Sequence, residues 1–370
     1  MKTDTRFTIV YQIEAGDQAK AEKFLRKIGT EQSVEISFEL VPPEARASLP
    51  EFFPVEQLGE NKWKARISYP LSVVGDDPTQ FLNVLFGNIS LLNGIVISDV
   101  SDNIFNTLLN GPSFGIEGIR KSCGVKTRAI SSTALKPVGL SAEELANRAF
   151  LFAKGGIDII KDDHGLTNQQ SAPFGERVSQ CAMAVRRGEQ HSGKKSLYFP
   201  NITTSPQQLL ERFEIAIELG ADGVLVCPQL TGLESLLSLA SLKEIPLMAH
   251  PAFSGSYIQA NHGFSPELYY GKIWRAFGAD AVIYPNTGGR FPFTAEQCHQ
   301  LNRQICGHFC SFKPAFPVPG GGIKLETVEG WMDSYGNDII FLIGGSLYNQ
   351  TSGIESAARE FQQLLESYEK

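Results

Sequence analysis

From Arg128 onward the chain repeats one pattern eight times: a short apolar, β-branched run, a glycine-rich or polar junction, then a stretch with helical spacing. The apolar runs are RAISSTAL, IDIIK, SLYFPN, GVLVCP, IPLMAH, AVIYPN, AFPVPGGG and DIIFLIGG. The helical stretches begin at SAEELANRAFLFAKG, PFGERVSQCAMAVRR, SPQQLLERFEIAIELG, GLESLLSLA, SPELYYGKIWRAFG and TAEQCHQLNRQIC, then follow Lys324, then close with GIESAAREFQQLLESYEK. Ser141 with Glu144 and Thr294 with Gln297 are spaced as capping boxes, and Ser205-Pro206 is a helix-start pair. Runs that are apolar throughout, rather than alternating, belong to strands buried on both faces of a parallel sheet. Eight such units in about 255 residues predict a closed (β/α)8 TIM barrel. A doubly wound open sheet would need a switch point, and no GxGxxG turn supplies one.

The residues before the barrel follow a different pattern. RFTIVYQI, SVEISFEL and WKARISYP read as strands, AGDQAKAEKFLRKIG as a helix ending at Gly29, and DDPTQFLNVLFGN as a helix opened by acidic residues and Pro78. The expected organisation is a small α+β domain over residues 1–115 and the barrel over 116–370. The formal net charge of -7 comes without a long basic block, which argues against nucleic acid or an anionic membrane surface as partner. Charges interrupt the opening residues, so no signal peptide is read there, and a cytoplasmic location is expected. The six cysteines are sparse and suit reduced thiols. Cys298, His299, Cys306, His308 and Cys310 crowd together but fit no CxxC spacing, and are read as small buried hydrophobes with surface histidines.

A barrel carries its chemistry at the carboxyl ends of its strands. Those ends here are Lys136, the Lys161-Asp162-Asp163-His164 cluster, Asn201, Cys227, His250, Asn286, Gly320 to Gly322, and Gly344 with Gly345. The cluster suits either a metal site or an acid–base group. Glycines after strands seven and eight suit a phosphate, because bare backbone lets several N–H groups approach one anion. Lys136 is a candidate proton carrier or phosphate counter-ion, and His250 a candidate acid–base group or donor to a substrate oxygen.

ALKPVGLS, GGIDIIKDDH, the late PGGG and the final LIGG, in a chain of this organisation, resemble the large subunit of ribulose-bisphosphate carboxylase and its RuBisCO-like (form IV) relatives. The resemblance implies that Lys161 is carbamylated by CO2 and, with Asp163 and His164, holds Mg2+. It implies Lys136 as acid–base group, Gly320, Gly321, Gly322, Gly344 and Gly345 as phosphate cradle, and His250 as the strand-five histidine. Glu31 and Asn88 would reach the barrel of a partner subunit, so a homodimer is expected. His164 stands where the family has a glutamate, a change that opens the site to Mn2+. Val138, Pro251 and Arg290 stand where carboxylases carry a lysine, an arginine and the mobile-loop lysine, which argues against CO2 fixation on a bisphosphate.

What remains is enolisation of a phosphorylated sugar. ALKPVGL with KDDH is most similar to the 5-methylthioribulose-1-phosphate isomerase group of methionine salvage. A 2,3-diketo-5-methylthiopentyl-1-phosphate enolase, a decarboxylase of phosphorylated oxo-sugar acids and a non-catalytic phosphate-binding protein are the alternatives. The enolases typically have a lysine where this chain has Asn88.

Overall fold

A computed structural model describes residues 5–368. Its contacts divide the chain into two units, one of residues up to Asn110 with Ser254–Ile273 and Phe309–Ser311, the other of Gly111–Phe253, Trp274–His308 and Phe312 onward. Among the described residues no helix is long and apolar enough to cross a membrane.

In the first unit the strand Arg6–Glu14 pairs antiparallel with Lys62–Pro70 on one side and Ile95–Val100 on the other. Alternate side chains Phe7, Ile9, Tyr11 and Ile13 point into the core, as the period of two requires. The helix Gln18–Glu31 is capped by Asp17, whose carboxylate accepts from Lys20 N–H at 2.8 Å. It runs through Gly29 instead of stopping there. A Cβ at Gly29 would lie 2.5 Å from the Phe52 ring, so this glycine is a packing contact and not a terminator. SVEISFEL is not a strand: Glu35 takes a left-handed φ of 58°, Ile36 and Leu40 are exposed, and Phe38–Leu40 is a 3-10 turn. Without a neighbouring edge to pair with, its alternation has no face to bury.

The second unit contains eight parallel strands: Ile130–Leu135, Ile159–Asp162, Leu197–Phe199, Val224–Val226, Leu247–Ala249, Ala281–Pro285, Phe316–Gly320 and Ile340–Leu342. Strand one pairs with strands two and eight, and a bridge from Asn201 to Leu225 closes the circle between strands three and four. Ile130, Ile159, Leu197, Leu225, Met248, Ala281, Phe316 and Ile340 fill one end of the barrel. Two residues further along the same rows come Lys161, Cys227 and His250, so the alternation that packs the core also aims chemistry at the other end. Both capping boxes form, at Ser141/Glu144 and Thr294/Gln297. The closing helix is Ile354–Ser367, and the last two residues of its expected run lie outside the described residues.

The fifth unit departs from the repeat. After strand five, Ile258–Gln259 and His262–Phe264 form a hairpin whose second strand joins Ile95–Val100 in parallel within the first unit. The helix expected from Ser265 to Gly278 is a π-helix over Glu267–Ile273 followed by a short α-turn, Trp274–Ala276. Its wider winding accompanies stacking of Tyr269 on Tyr257 and Phe264, with centroids 5.7 and 5.2 Å apart.

Asp280, fully buried before strand six, ties the floor of the barrel together. Its carboxyl accepts from Phe114 and Gly115 N–H at 2.7 Å each, at the start of helix Gly115–Cys123, and from Leu247 N–H at 2.9 Å. Burial raises its pKa to about 6 although the three donors pull the other way. Asp280→Ala leaves three buried donors unmatched and is expected to cost about 3 kcal/mol or more in urea unfolding. A folded pKa raised above the unfolded value of about 3.9 means that proton uptake favours the fold. The deficit of the variant should therefore widen as the pH falls from 7 through 6 towards 4, and a deficit that narrows would contradict the assignment.

Candidate active site

The second strand delivers three acidic and basic groups in adjacent positions, and alternation sends them to different places. Lys161 lies inside the barrel, fully buried, with Nζ donating to the Asp162 carbonyl at 3.1 Å. Burial lowers its pKa to about 8; Asp163 opposes that shift and Lys136 reinforces it. Asp163 forms an ion pair with Lys136 Nζ through Oδ2, and its Oδ1 lies 3.3 Å from His164 Nδ1. Burial pushes its carboxyl up, but the His164 contact and the two lysines outweigh that and hold it well below the usual carboxylate range.

Asp162 points the opposite way, with no solvent exposure. Its carboxylate accepts from Arg177 Nε at 3.1 Å, the Tyr198 hydroxyl at 2.8 Å and Asn201 N–H at 3.0 Å. Arg177 lies on the helix Phe174–Ser192 and also donates to the Ala172 carbonyl. Asn201 then fixes the loop beyond the strand: its amide donates to the carbonyls of His164 and Leu166 at 2.9 Å, and its Oδ1 accepts from Thr203. Asn201 is thus tied up in structure, not presented at the mouth. Arg177 and Tyr198 escaped the sequence reading, because nothing in their spacing links them to Asp162.

His164 stacks on His250 from strand five, with centroids 4.4 Å apart and planes 16° from parallel. Burial, then the Lys161 and His164 charges, hold His250 well below the usual imidazole value, so its ring is neutral near pH 7. Its Nδ1 accepts from Ala252 N–H at 3.1 Å, which leaves the proton on Nε2. Cys227, just beyond strand four, is buried, and burial raises its thiol and keeps it protonated near neutral pH.

Of the glycine turns, the one at Gly344 touches this group. Gly344 lies against Lys136, where a Cβ would be 3.7 Å from Lys136 Cε, and Gly345 opens onto free space. Gly321 and Gly322 have φ of 88° and 74°, and a Cβ at Gly322 would strike the backbone of Thr287 to Gly289 at under 3 Å. Arg290, just beyond, is exposed with its guanidinium 5.6 Å from the Phe291 ring centroid. Asn286 is buried and accepts from the Tyr335 hydroxyl at 2.7 Å. In the other unit, half-buried Glu31 ends its helix and Asn88 is exposed in a 3-10 turn. Gln32, unremarked in the sequence, joins those two segments: its amide donates to the Asn83 and Val84 carbonyls at 2.8 and 2.6 Å and accepts from Ile89 N–H at 3.4 Å.

Mg2+ prefers several anionic oxygens. Among the described residues no three His, Cys, Asp or Glu side chains group to hold an ion, and both Asp163 oxygens are engaged. Lys161 completes the set only as a carbamate, a reaction of the free amine. An amine with a pKa of about 8 offers free base near neutral pH, so Lys161 can take up that group, and with Asp163 and His164 it would then supply a donor set of the kind a divalent cation accepts.

A parallel barrel with a Lys-Asp-Asp strand end, a strand-one lysine and glycine turns after strands seven and eight has the organisation in which barrel enzymes carry their sites. The family model for the ribulose bisphosphate carboxylase large chain, catalytic domain, matches residues 115–291. Ribulose bisphosphate carboxylase-like protein 1 of Rhodopseudomonas palustris is 33% identical, covering 94% of each chain. A 5-methylthioribulose-1-phosphate isomerase of Rhodospirillum rubrum is 33% identical over 92% of this chain and 91% of its own. A 2,3-diketo-5-methylthiopentyl-1-phosphate enolase of Bacillus licheniformis is 34% identical over 84% and 78%. The crystal structure of a Rubisco-like protein from Rhodopseudomonas palustris superposes with a TM-score of 0.88 at 31% identity, covering 100% and 99%. The chain belongs to the RuBisCO large-chain family, among its RuBisCO-like, form IV members.

Asp162→Asn would leave the Arg177 guanidinium buried without its counter-charge, and is expected to cost about 3–5 kcal/mol in denaturant unfolding. Asp162→Leu combined with Arg177→Met removes both charges and should lose less than the sum of the single changes. Additive losses would show that the two groups do not act as a pair.

Proposed function

We propose that this protein is an isomerase of a phosphorylated ketopentose that works through enediol intermediates. The reaction it matches best converts 5-methylthioribulose 1-phosphate to 1-methylthioxylulose 5-phosphate. The observation that carries this reading is the grouping of Lys136, Asp163, His164 and His250 with Lys161, beside a glycine turn that touches Lys136.

Moving a carbonyl along a sugar requires a proton to leave one carbon and return to its neighbour. Lys136 Nζ carries that proton, as amine when it removes it and as ammonium when it delivers it, and Asp163 balances the ammonium form. The neutral His250 presents Nε2–H to the oxygen on which negative charge develops. Gly344 and Gly345, with Gly320 to Gly322, hold the single phosphate through backbone N–H groups. Lys161 as carbamate, with Asp163 and His164, would hold Mg2+ or Mn2+, which when bound polarises the sugar oxygens. Glu31 and Asn88 complete the site from a second copy of the chain.

Carboxylation is left out because Val138 and Pro251 carry no charge; Val138 instead is exposed and packs beside Gly165. The isomerase reading is favoured over the enolase because residue 88 is an asparagine, whose amide takes up no carbon-bound proton at neutral pH. In deuterated water the wild type is expected to wash deuterium into 5-methylthioribulose 1-phosphate, followed by proton NMR. Lys136→Met should lose at least about 100-fold in that exchange while melting like the wild type. Exchange at the wild-type rate in the variant removes Lys136 from the chemistry. After EDTA in CO2-free buffer the exchange should fall, and Mg2+ with bicarbonate should restore it; an EDTA-insensitive enzyme would confine the chemistry to side chains.

A further inference from the structure

Strand eight ends before strand one does. The ladder to strand eight runs to Leu342, and its last contacts are Ile343 N–H to the Ser132 carbonyl at 3.0 Å and Thr133 Oγ1 to the Ile343 carbonyl at 2.9 Å. Beyond that point the Ala134 carbonyl and the Lys136 N–H have no strand-eight backbone to meet. One side-chain group takes both: the Tyr348 hydroxyl donates to the Ala134 carbonyl at 2.9 Å and accepts from Lys136 N–H at 3.0 Å.

Tyr348 ends the short helix Gly345–Tyr348, which starts directly after Gly344. Its ring is wedged edge-on against Phe152, with centroids 5.4 Å apart, and the Arg148 guanidinium lies 5.2 Å from its centroid. Burial raises its pKa to about 12, so the hydroxyl keeps the proton it needs to serve as donor and acceptor together. The side chain of Lys136 meanwhile lies along Gly344 and ends on Asp163. The same turn that faces the proposed phosphate therefore touches Lys136 at its side chain and, through Tyr348, at its backbone.

We infer that Tyr348 is the positioning residue for Lys136: its hydroxyl extends the sheet past the end of strand eight and fixes the lysine that carries the proton. The inference deepens the proposed isomerase reading and rests on it for Lys136's chemistry. Phosphate held at Gly344 and Gly345 then sits on the same short segment that sets the lysine in place.

Tyr348→Phe keeps the ring and removes the bridge. Phe152→Leu is the control, since it loosens the ring's packing but leaves the hydroxyl. In the full-length protein, deuterium washout should fall by about 10- to 100-fold in kcat for Tyr348→Phe with KM within about 3-fold, an effect made in the transition state and not in binding. Phe152→Leu should stay within about 3-fold in both. Independently of turnover, reductive methylation of Lys136, read by peptide mass spectrometry, should quicken several-fold in Tyr348→Phe and not in Phe152→Leu. If the wild type exchanges no proton, the isomerase reading fails and the methylation rates alone decide on Tyr348. If Tyr348→Phe does not fold, 3,5-difluorotyrosine placed at 348, a weaker acceptor of the same shape, should shift both readouts in the same direction. Unchanged kcat and unchanged Lys136 labelling in the Tyr348 variants overturn the inference, as does a Phe152→Leu protein that reproduces both changes.

Discussion

The buried charge of Asp162 is the interaction on which the site depends. A carboxylate with no solvent contact is tolerable only when its partners are complete, and Arg177, Tyr198 and Asn201 N–H complete them. Because neighbouring residues of a strand face opposite ways, anchoring Asp162 outward leaves Lys161 and Asp163 no choice but to face the barrel's interior and mouth. Asn201 extends the same restraint into the loop by holding the carbonyls of His164 and Leu166. The placement of His164 against His250 follows from that hold.

Around this anchor the lysines outnumber the carboxylates by one. Two lysines face one carboxylate and two imidazoles, one of them kept neutral by burial. Lys136 and Asp163 neutralise each other in this state, and Lys161, drawn down towards neutral pH, is the group with a proton to give up. In the proposed reaction these groups would stand where charge appears during enolisation, which is where binding energy becomes rate.

Much of this was legible in the sequence, for definite reasons. Buried parallel strands must be short and apolar, so the eight runs and their ends stand out, and the capping boxes at Ser141 and Thr294 mark helix starts through local hydrogen bonds. Lys136, Asp163, His164 and His250 could be named because they sit at strand ends, and the structure brings them together. What could not be read depends on distant partners. Asp162 and Asp163 are the same residue type side by side, and only the partners supplied by Arg177 and Tyr198 show their different work. SVEISFEL alternates like a strand but finds no edge to pair with, and the hairpin after strand five belongs to another sheet. Tyr348 lies 212 residues from Lys136, beyond any local pattern.

The proposed reaction moves a carbonyl along a phosphorylated ketopentose. It is tested most directly by incubating 5-methylthioribulose 1-phosphate, carbon-13 labelled at its ketone carbon, with the purified protein and following the label by carbon NMR. The ketone resonance of the labelled carbon is expected to be replaced by that of a secondary alcohol, with the phosphate ester intact and no CO2 consumed or released. A label that stays a ketone, or that disappears with loss of phosphate or release of CO2, would contradict it.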